Sequence, residues 1–534
     1  MTGEAPSSGG RRWHATAILV VALLAGLGLR ATLIEGRTVF SHDGAISYLA
    51  AAGQQGRLAE VTRPGSTEPP YARWVRVEQW QAFVEPSTPM SPRTIARDLS
   101  AHDLHPPLYF WLLHVACLTF GAHPWTGILL NALIDAAAAL VIFAAARWWL
   151  DDDRWAAIAT LVWMISPAAL ETMREARHYS LLALVGVAFA WQAVRIVVER
   201  RPVRMRDYAL FALLTAVGAL THYHFAMVGF AALVLTSLWS GRRKLARLTG
   251  AMAVGVSGAL VANPSMLATF TRAGDLSDPV TLDALGLRVL KVGYHLFDLW
   301  GATDAGNIIL GVAALAGLTL ILTRHARGER AQAAIRAAFG PERNPFMMFA
   351  LIVFALISAA YLSFAIPRHA IGPRYFAPVW PLMAIGFVDA IRHLDARRWL
   401  LAGLIVFALA NSVWLVSDFL RSEAWNQSRM ELLREYDHLL VDQVGRGALL
   451  PLLAGLDAGT MVYVAHPQDI IASVDDWAPA LRMADGSKGY LSNAFQATSH
   501  DDRRAVLALL DDLDWETPES PLRLVPTWRL FPLK

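Results

Sequence analysis

Six short stretches of the chain hold side chains able to do chemistry. His42 and Asp43 stand together near the start, and Asp103 and His105 flank Leu104 just before Pro106-Pro107. Glu171, Arg174, Glu175, Arg177, His178 and Tyr179 form a dense run, and His222, Tyr223 and His224 are consecutive. Lys291 is followed by Tyr294 and His295, and Arg368, His369, Arg374 and Tyr375 complete the set. A carboxylate such as Asp43 or Asp103 can take a proton from a hydroxyl group. A guanidinium such as Arg177 or Arg374 offers a fixed fork of donors suited to an anionic oxygen group. His42, Asp43, Asp103 and His105 offer the oxygen and nitrogen donors a divalent cation would use, but their spacing specifies no metal, so cofactor and metal stay unknown here. Plainer roles are open for each. Asp43 is placed to cap a helix starting at Gly44, and His105 to open a helix whose first turn takes the prolines. Arg177 is one turn from Glu171 and Glu175, and Arg374 can snorkel to headgroups.

The elements that must position these residues are apolar. The chain has 534 residues, 55% hydrophobic and 17% charged, with a mean hydropathy of +0.38. An ordinary soluble domain carries about 25% charged residues, and a soluble globule this apolar would expose a largely apolar surface. Disorder is excluded on the same ground. The reading is a polytopic membrane protein. The net charge of +3 is carried by basic residues in short loops between apolar runs, a pattern of membrane topology and not of nucleic-acid binding. The single cysteine, Cys117, excludes an internal disulfide.

Apolar runs long enough to span occupy residues 15–34, 125–149, 154–173, 179–198, 207–221, 224–240, 246–269, 302–323, 346–366, 375–392 and 398–417. Residues 105–121 are apolar but short. If they span, then Arg200, Arg201, Arg242, Arg243, Lys244, the basic loop 324–343 and Arg397 all fall outside the membrane. Arg11 and Arg12 set the N-terminus in the cytoplasm, and if residues 105–121 lie along the outer interface every one of those clusters returns there too. The second threading is therefore expected, with about eleven spans, the N-terminus inside and the C-terminus outside. The first span reads as an uncleaved anchor, since no small-residue cleavage site follows it. All six chemical stretches then fall on the outer face, at span ends, where charges are functional candidates.

The expected fold is an all-α polytopic membrane protein with a long first periplasmic loop carrying interfacial helices near 44–58 and 93–103. A small C-terminal extracytoplasmic domain, α/β or mostly helical, follows. Residues 1–417 form the membrane module, with 35–123 as the first outer loop, and 418–534 form the tail, with helices near 422–446 and 502–513 and a strand at Met461–Ala465.

Five ordered blocks carry a family resemblance. They are Phe40-Ser-His-Asp-Gly-Ala-Ile-Ser-Tyr-Leu49, Asp103-Leu-His-Pro-Pro-Leu-Tyr-Phe-Trp111, Glu175-Ala-Arg-His-Tyr-Ser-Leu181, Thr221-His-Tyr-His-Phe225 and Gly372-Pro-Arg-Tyr-Phe-Ala-Pro-Val-Trp-Pro381. Together, across residues 15–417, the sequence resembles the GT-C fold glycosyltransferases. It is most similar to the bacterial branch related to protein O-mannosyltransferases and to aminoarabinose transferases acting on lipid A. The resemblance implies a GT-C-like module in a bacterial plasma (inner) membrane, with its active site outside. It also implies a sugar donor carried on a polyprenyl phosphate and a hydroxyl acceptor on protein, lipid or glycan. The family's acidic pair, usually Asp-Glu, is Asp43-Gly44 here, so the second carboxylate falls to Asp103 or is missing.

On that reading the leaving phosphate needs positive charge more than a proton, which Arg374 and Arg177 supply, with His105 and Lys291 beside them. Asp43 is the expected base for the acceptor hydroxyl, with Asp103 as the second catalytic carboxylate. His42, Tyr179, His222, Tyr223 and Tyr375 complete the substrate-binding set. One base and one leaving group predict a single displacement with inversion. Paired carboxylates also serve hydrolases, but a prenyl tail is what explains so many spans. The principal alternative is a lipid-linked sugar transporter or flippase without transfer chemistry; it would place polar groups at mid-membrane, where only Asp135 and Asp389 stand.

Overall fold

The computed structural model describes residues 8–86, 91–198, 203–266, 269, 282–303, 307–312, 344–363, 372–394, 397–442, 446–453, 455–493, 500–518, 521–524 and 528–534. The expected span 302–323, the loop 324–343, and Arg200, Arg201, Arg368 and His369 lie wholly or largely outside these residues. The chain forms two compact units: Met1–Leu33, Leu104–Tyr109 and Ile128–Asp418 make one, and Ile34–Asp103, Phe110–Gly127 and Phe419–Lys534 the other.

The first unit is helical. Six helices among the described residues are long and apolar enough to cross a membrane: Ala15–Gly36, Thr126–Leu150, Tyr179–Val198, Arg242–Ala262, Pro345–Ser363 and Arg397–Arg434. The helices Asp153–Met164 and Pro167–Met173 form a further span bent by 51°. Leu108–Phe120, Phe225–Trp239 and Trp380–Ile391 are shorter apolar helices, and Met205–Thr221 has 17 residues. The protein is thus a multi-pass, mainly helical membrane protein. Among the described residues several of the expected runs are broken helices. The break in 154–173 has a clear cause. Ser166 caps a new helix by accepting from the Ala169 amide, and Pro167 at its first position has no N–H to continue the old one. Close packing also needs small residues: a Cβ on Gly255 would run into the Ala212 carbonyl and Thr215 of the neighbouring helix.

The second unit carries a six-stranded sheet. Its strands are β1 (Trp74–Arg76), β2 (His438–Asp442), β3 (Met461–Ala465), β4 (Lys488–Asn493), β5 (Leu522–Arg523) and β6 (Trp528–Leu533), in spatial order β1-β3-β2-β4-β6-β5. β2 pairs in parallel with β3 and β4, and β1 from the first loop adds antiparallel to β3. Residues 438–442, expected as helix, are a central strand: Leu439, Leu440 and Val441 are buried on both faces, as the middle of a covered parallel sheet requires. The helices of the first loop run His42–Ala51, Gln55–Val61 and Pro92–His102, close to the interfacial pair expected. Arg37 pairs with Glu423 at 2.9 Å, and Glu423 also accepts from the amides of Thr38 and Val39, tying the loop's start to the tail.

Inside the first unit one ion pair is fully buried. Arg30 and Asp135 meet at 3.0 Å with side chains 1% and 0% exposed. Arg30 also donates to the carbonyls of Gly26 at 3.0 Å and Met164 at 2.7 Å. Asp135 is therefore matched inside the first unit by a guanidinium. Asp389 pairs with Arg392 at 2.9 Å and accepts from Trp149 Nε1 at 2.7 Å. Breaking a buried pair leaves an uncompensated charge. Asp135→Ala should cost about 3–5 kcal/mol, read as a lowered melting temperature in detergent, whereas the double change Arg30→Met/Asp135→Leu should recover most of it.

Candidate active site

The cluster in the first unit is built on helix ends. The short helix Pro167–Met173 ends at Arg174, and the next helix starts at Tyr179. The intervening turn carries Glu175, Arg177 and His178, and Asn131 holds it by donating to the carbonyls of Met173 and Glu175. His222 closes the helix Met205–Thr221, and His224 opens Phe225–Trp239. Arg374 and Tyr375 lie on a single 3₁₀ turn, Pro373–Phe376, which Pro373 starts. His105 sits in the stretch just before Leu108–Phe120.

Arg374 Nη1 donates to Glu175 Oε2 at 2.7 Å. Its guanidinium also lies over the rings of Tyr179 and Tyr375, at 5.6 and 5.7 Å. Arg174 and Glu171 pair at 2.7 Å. The carboxylates one turn from Arg177 are engaged by Arg174 and Arg374. Tyr179 and Tyr375 rings are 5.8 Å apart, edge to face. The ring of His178 lies 4.5 Å from Tyr179, 4.4 Å from His222 and 4.7 Å from His105. His224 stands 4.4 Å from His222 and 5.8 Å from Tyr375. Burial holds His178 and His222 well below the ordinary imidazole range, and brings His224 to about 4, so all three rings are neutral at pH 7.

The sequence-expected residues of this unit therefore divide. His105, Arg177, Tyr179, His222, Arg374 and Tyr375 belong to the cluster. Tyr223 packs instead against the apolar group Ala219, Leu220, Ala259 and Met266. Lys291 is half-buried on the helix Leu282–His295; the end of that helix meets the Arg374 turn through His295, whose ring is 5.7 Å from Phe376. His42, Asp43 and Asp103 belong to the other unit. There the helix His42–Ala51 is capped by Ser41, which accepts from the Gly44 amide, so capping is not the task of Asp43. Asp103 ends the helix Pro92–His102 and accepts from Gln55 Nε2 at 3.3 Å.

Beside the Arg374 turn is a polar cavity of about 300 Å³, lined by Glu171, Arg174, His295, Asp298, Pro373 and Trp414 among others. His295 Nδ1 and Asp298 Oδ2 are 2.7 Å apart, and Asn307 donates to Asp298 Oδ1 at 2.6 Å. Sequence reading named Glu175, His178, His224 and His295 among the polar groups at span ends but left them out of the site, and it did not name Asp298, three residues after His295.

Residues 104–267 match the family model described as dolichyl-phosphate-mannose-protein mannosyltransferase. No curated protein matches the sequence. Over nearly its full length the structure is similar to ArnT from Cupriavidus metallidurans bound to undecaprenyl phosphate, with 15% identity and a TM-score of 0.57, covering 97% of this chain and 98% of that one. The apo state of the same protein gives 15% and 0.56 over the same shares. The archaeal oligosaccharyltransferase AglB from Archaeoglobus fulgidus, in complex with an inhibitory peptide and a dolichol-phosphate, is similar at 11% identity and a TM-score of 0.43, covering 91% of this chain and 70% of that one. The fold is that of the GT-C glycosyltransferases.

Burial raises the Asp298 carboxyl to about 6, with its hydrogen bonds from His295 and Asn307 opposing the rise. A raised acid favours the folded state at low pH and loses that advantage as pH climbs through the folded value. Asp298→Asn, which mimics the protonated acid, should therefore gain stability relative to the unsubstituted chain between about pH 4 and 6, by up to about 3 kcal/mol. Melting curves of the two proteins across that window check this.

Proposed function

We propose that this chain is a membrane glycosyltransferase moving a sugar from a polyprenyl-phosphate donor to a hydroxyl acceptor at the outer face of a bacterial inner membrane. The observation that carries the reading is Arg374: a guanidinium on a tight turn, held by Glu175 and two tyrosines beside a polar cavity in a GT-C fold. The match to a mannosyltransferase family over residues 104–267 supports the reaction class. The undecaprenyl phosphate bound to ArnT supports a polyprenyl carrier. The positive-inside threading supports a cytoplasmic N-terminus, with the site and the C-terminus outside.

On this reading the donor phosphate competes with Glu175 for Arg374, and Arg177 adds a second positive charge. As the anomeric carbon–oxygen bond breaks, the phosphate oxygen takes up negative charge and the guanidinium groups stabilise it. Asp43 accepts the proton of the acceptor hydroxyl as its oxygen attacks the anomeric carbon. Asp103 is the second carboxylate. His42 and Tyr375 line the sugar, and the prenyl tail lies among the spans. The acceptor is a protein, lipid or glycan hydroxyl.

Asp43→Asn should reduce transfer by about 10²–10⁴-fold with the fold intact; near-normal turnover rejects the base assignment. Arg374→Ala should lower kcat/KM for the donor by about 100-fold, and Arg374→Lys should restore part of it, because Lys keeps the charge without the fork. The product should carry inverted anomeric configuration by NMR, and retention overturns the single displacement. Mass spectrometry of surface glycans, lipids and proteins, with and without the chain, identifies sugar and acceptor together.

A further inference from the structure

Three imidazoles meet in the first unit from three separate chain segments. His105 precedes the helix Leu108–Phe120, His178 precedes Tyr179–Val198, and His222 follows Met205–Thr221. One ring nitrogen from each lies within 4.8 Å of the other two, and His178 and His222 are buried. We infer that His105, His178 and His222 form a binding site for a divalent transition metal of the zinc class.

Several features favour that ligand. Three imidazole nitrogens suit zinc and its neighbours and leave magnesium or calcium, which prefer oxygen, poorly served. Both His178 and His222 are buried, so a metal held there would be shielded from solvent. Tetrahedral zinc at about 2.0–2.1 Å from each nitrogen needs those nitrogens about 3.4 Å apart. The three rings therefore close by about 1 Å on loading, a movement available to side chains on turns and caps. His222 Nδ1 accepts from the His224 amide at 2.9 Å in the metal-free arrangement; loading exchanges or rearranges that bond. Three protein ligands leave the fourth position for an oxygen ligand. Arg177 bears electrostatically on both His178 and His222, so the fourth ligand is best an anion, hydroxide or an anionic oxygen group. The inference concerns metal binding alone and does not depend on the transferase reading.

The test uses the full chain purified in detergent and stripped with a chelator. Titration with zinc, read by elemental analysis after gel filtration, should give about one metal per chain. Cobalt should give the visible absorption of a four-coordinate nitrogen site. His178→Gln and His222→Gln should weaken binding by more than about 100-fold, and His393→Gln, on an exposed side chain elsewhere, should leave it unchanged. If either buried variant fails to fold, His105→Gln carries the same expectation. Absence of stoichiometric zinc or cobalt binding by the folded chain overturns the site, as does binding that is unchanged in the triad variants.

Discussion

A charge placed among spanning helices has to be matched there, and in this chain the match also solves a backbone problem. Pro167 interrupts the helix that began at Asp153, which leaves the last-turn carbonyls of that helix without their usual amide partners. Arg30 donates to the Met164 carbonyl and to Asp135, while Ser412 donates to the Ile165 carbonyl at 2.6 Å. The guanidinium gains its counter-charge, and the broken helix gains donors for its Met164 and Ile165 carbonyls. That solution fixes the bend of 51°. The short helix Pro167–Met173 and the turn after it carry Glu171, Arg174, Glu175, Arg177 and His178, so the placing of this run rests on a buried pair one helix away.

The second unit answers a similar demand with a sheet. β1 comes from a segment more than 350 residues before its partner strand β3 and binds it through main-chain pairing at Trp74–Tyr463, Val75–Val462 and Arg76–Met461. Tyr71 reinforces the join. Its hydroxyl donates to Asp469 at 2.5 Å and accepts from the His466 amide at 2.8 Å. With Glu423 gathering Arg37 and two adjacent amides, the first loop is held to the tail by backbone, hydroxyl and charge together.

Sequence made the membrane-facing part of this legible because hydrocarbon imposes one rule along the whole chain: long apolar runs with basic loops on one side. The ordered blocks around Arg177, His222 and Arg374 were legible for a related reason, since polar residues at span ends carry a cost unless they are used. Non-local pairing hid the rest. Nothing near Trp74 signals that its strand partner is Tyr463. The run around Leu439–Val441, apolar on every residue, reads equally as buried strand or buried helix. Glu175 as the partner of Arg374 lies 199 residues away, and the bend at Pro167 is visible only once the carbonyl partners are known. Tyr223 differs from its neighbours: the rings of His222 and His224 lie in the cluster, while Tyr223 packs against Leu220 and Met266.

The charge balance of the cluster follows from burial. With His178, His222 and His224 held neutral, its formal charge rests on Arg174, Arg177 and Arg374 against Glu171 and Glu175: three guanidiniums against two carboxylates, one net positive charge. Counted over these five side chains alone, the cluster is one negative charge short of neutral. A sugar joined to a prenyl phosphate is a phosphodiester with one negative charge, and on the proposed reaction it brings the cluster to balance. Bond breakage turns that diester into a monoester with up to two negative charges, and the guanidiniums meet the added charge as it develops. On the proposed reaction a larger positive excess would hold the monoester product more firmly, and the pairing of Arg374 with Glu175 limits that excess.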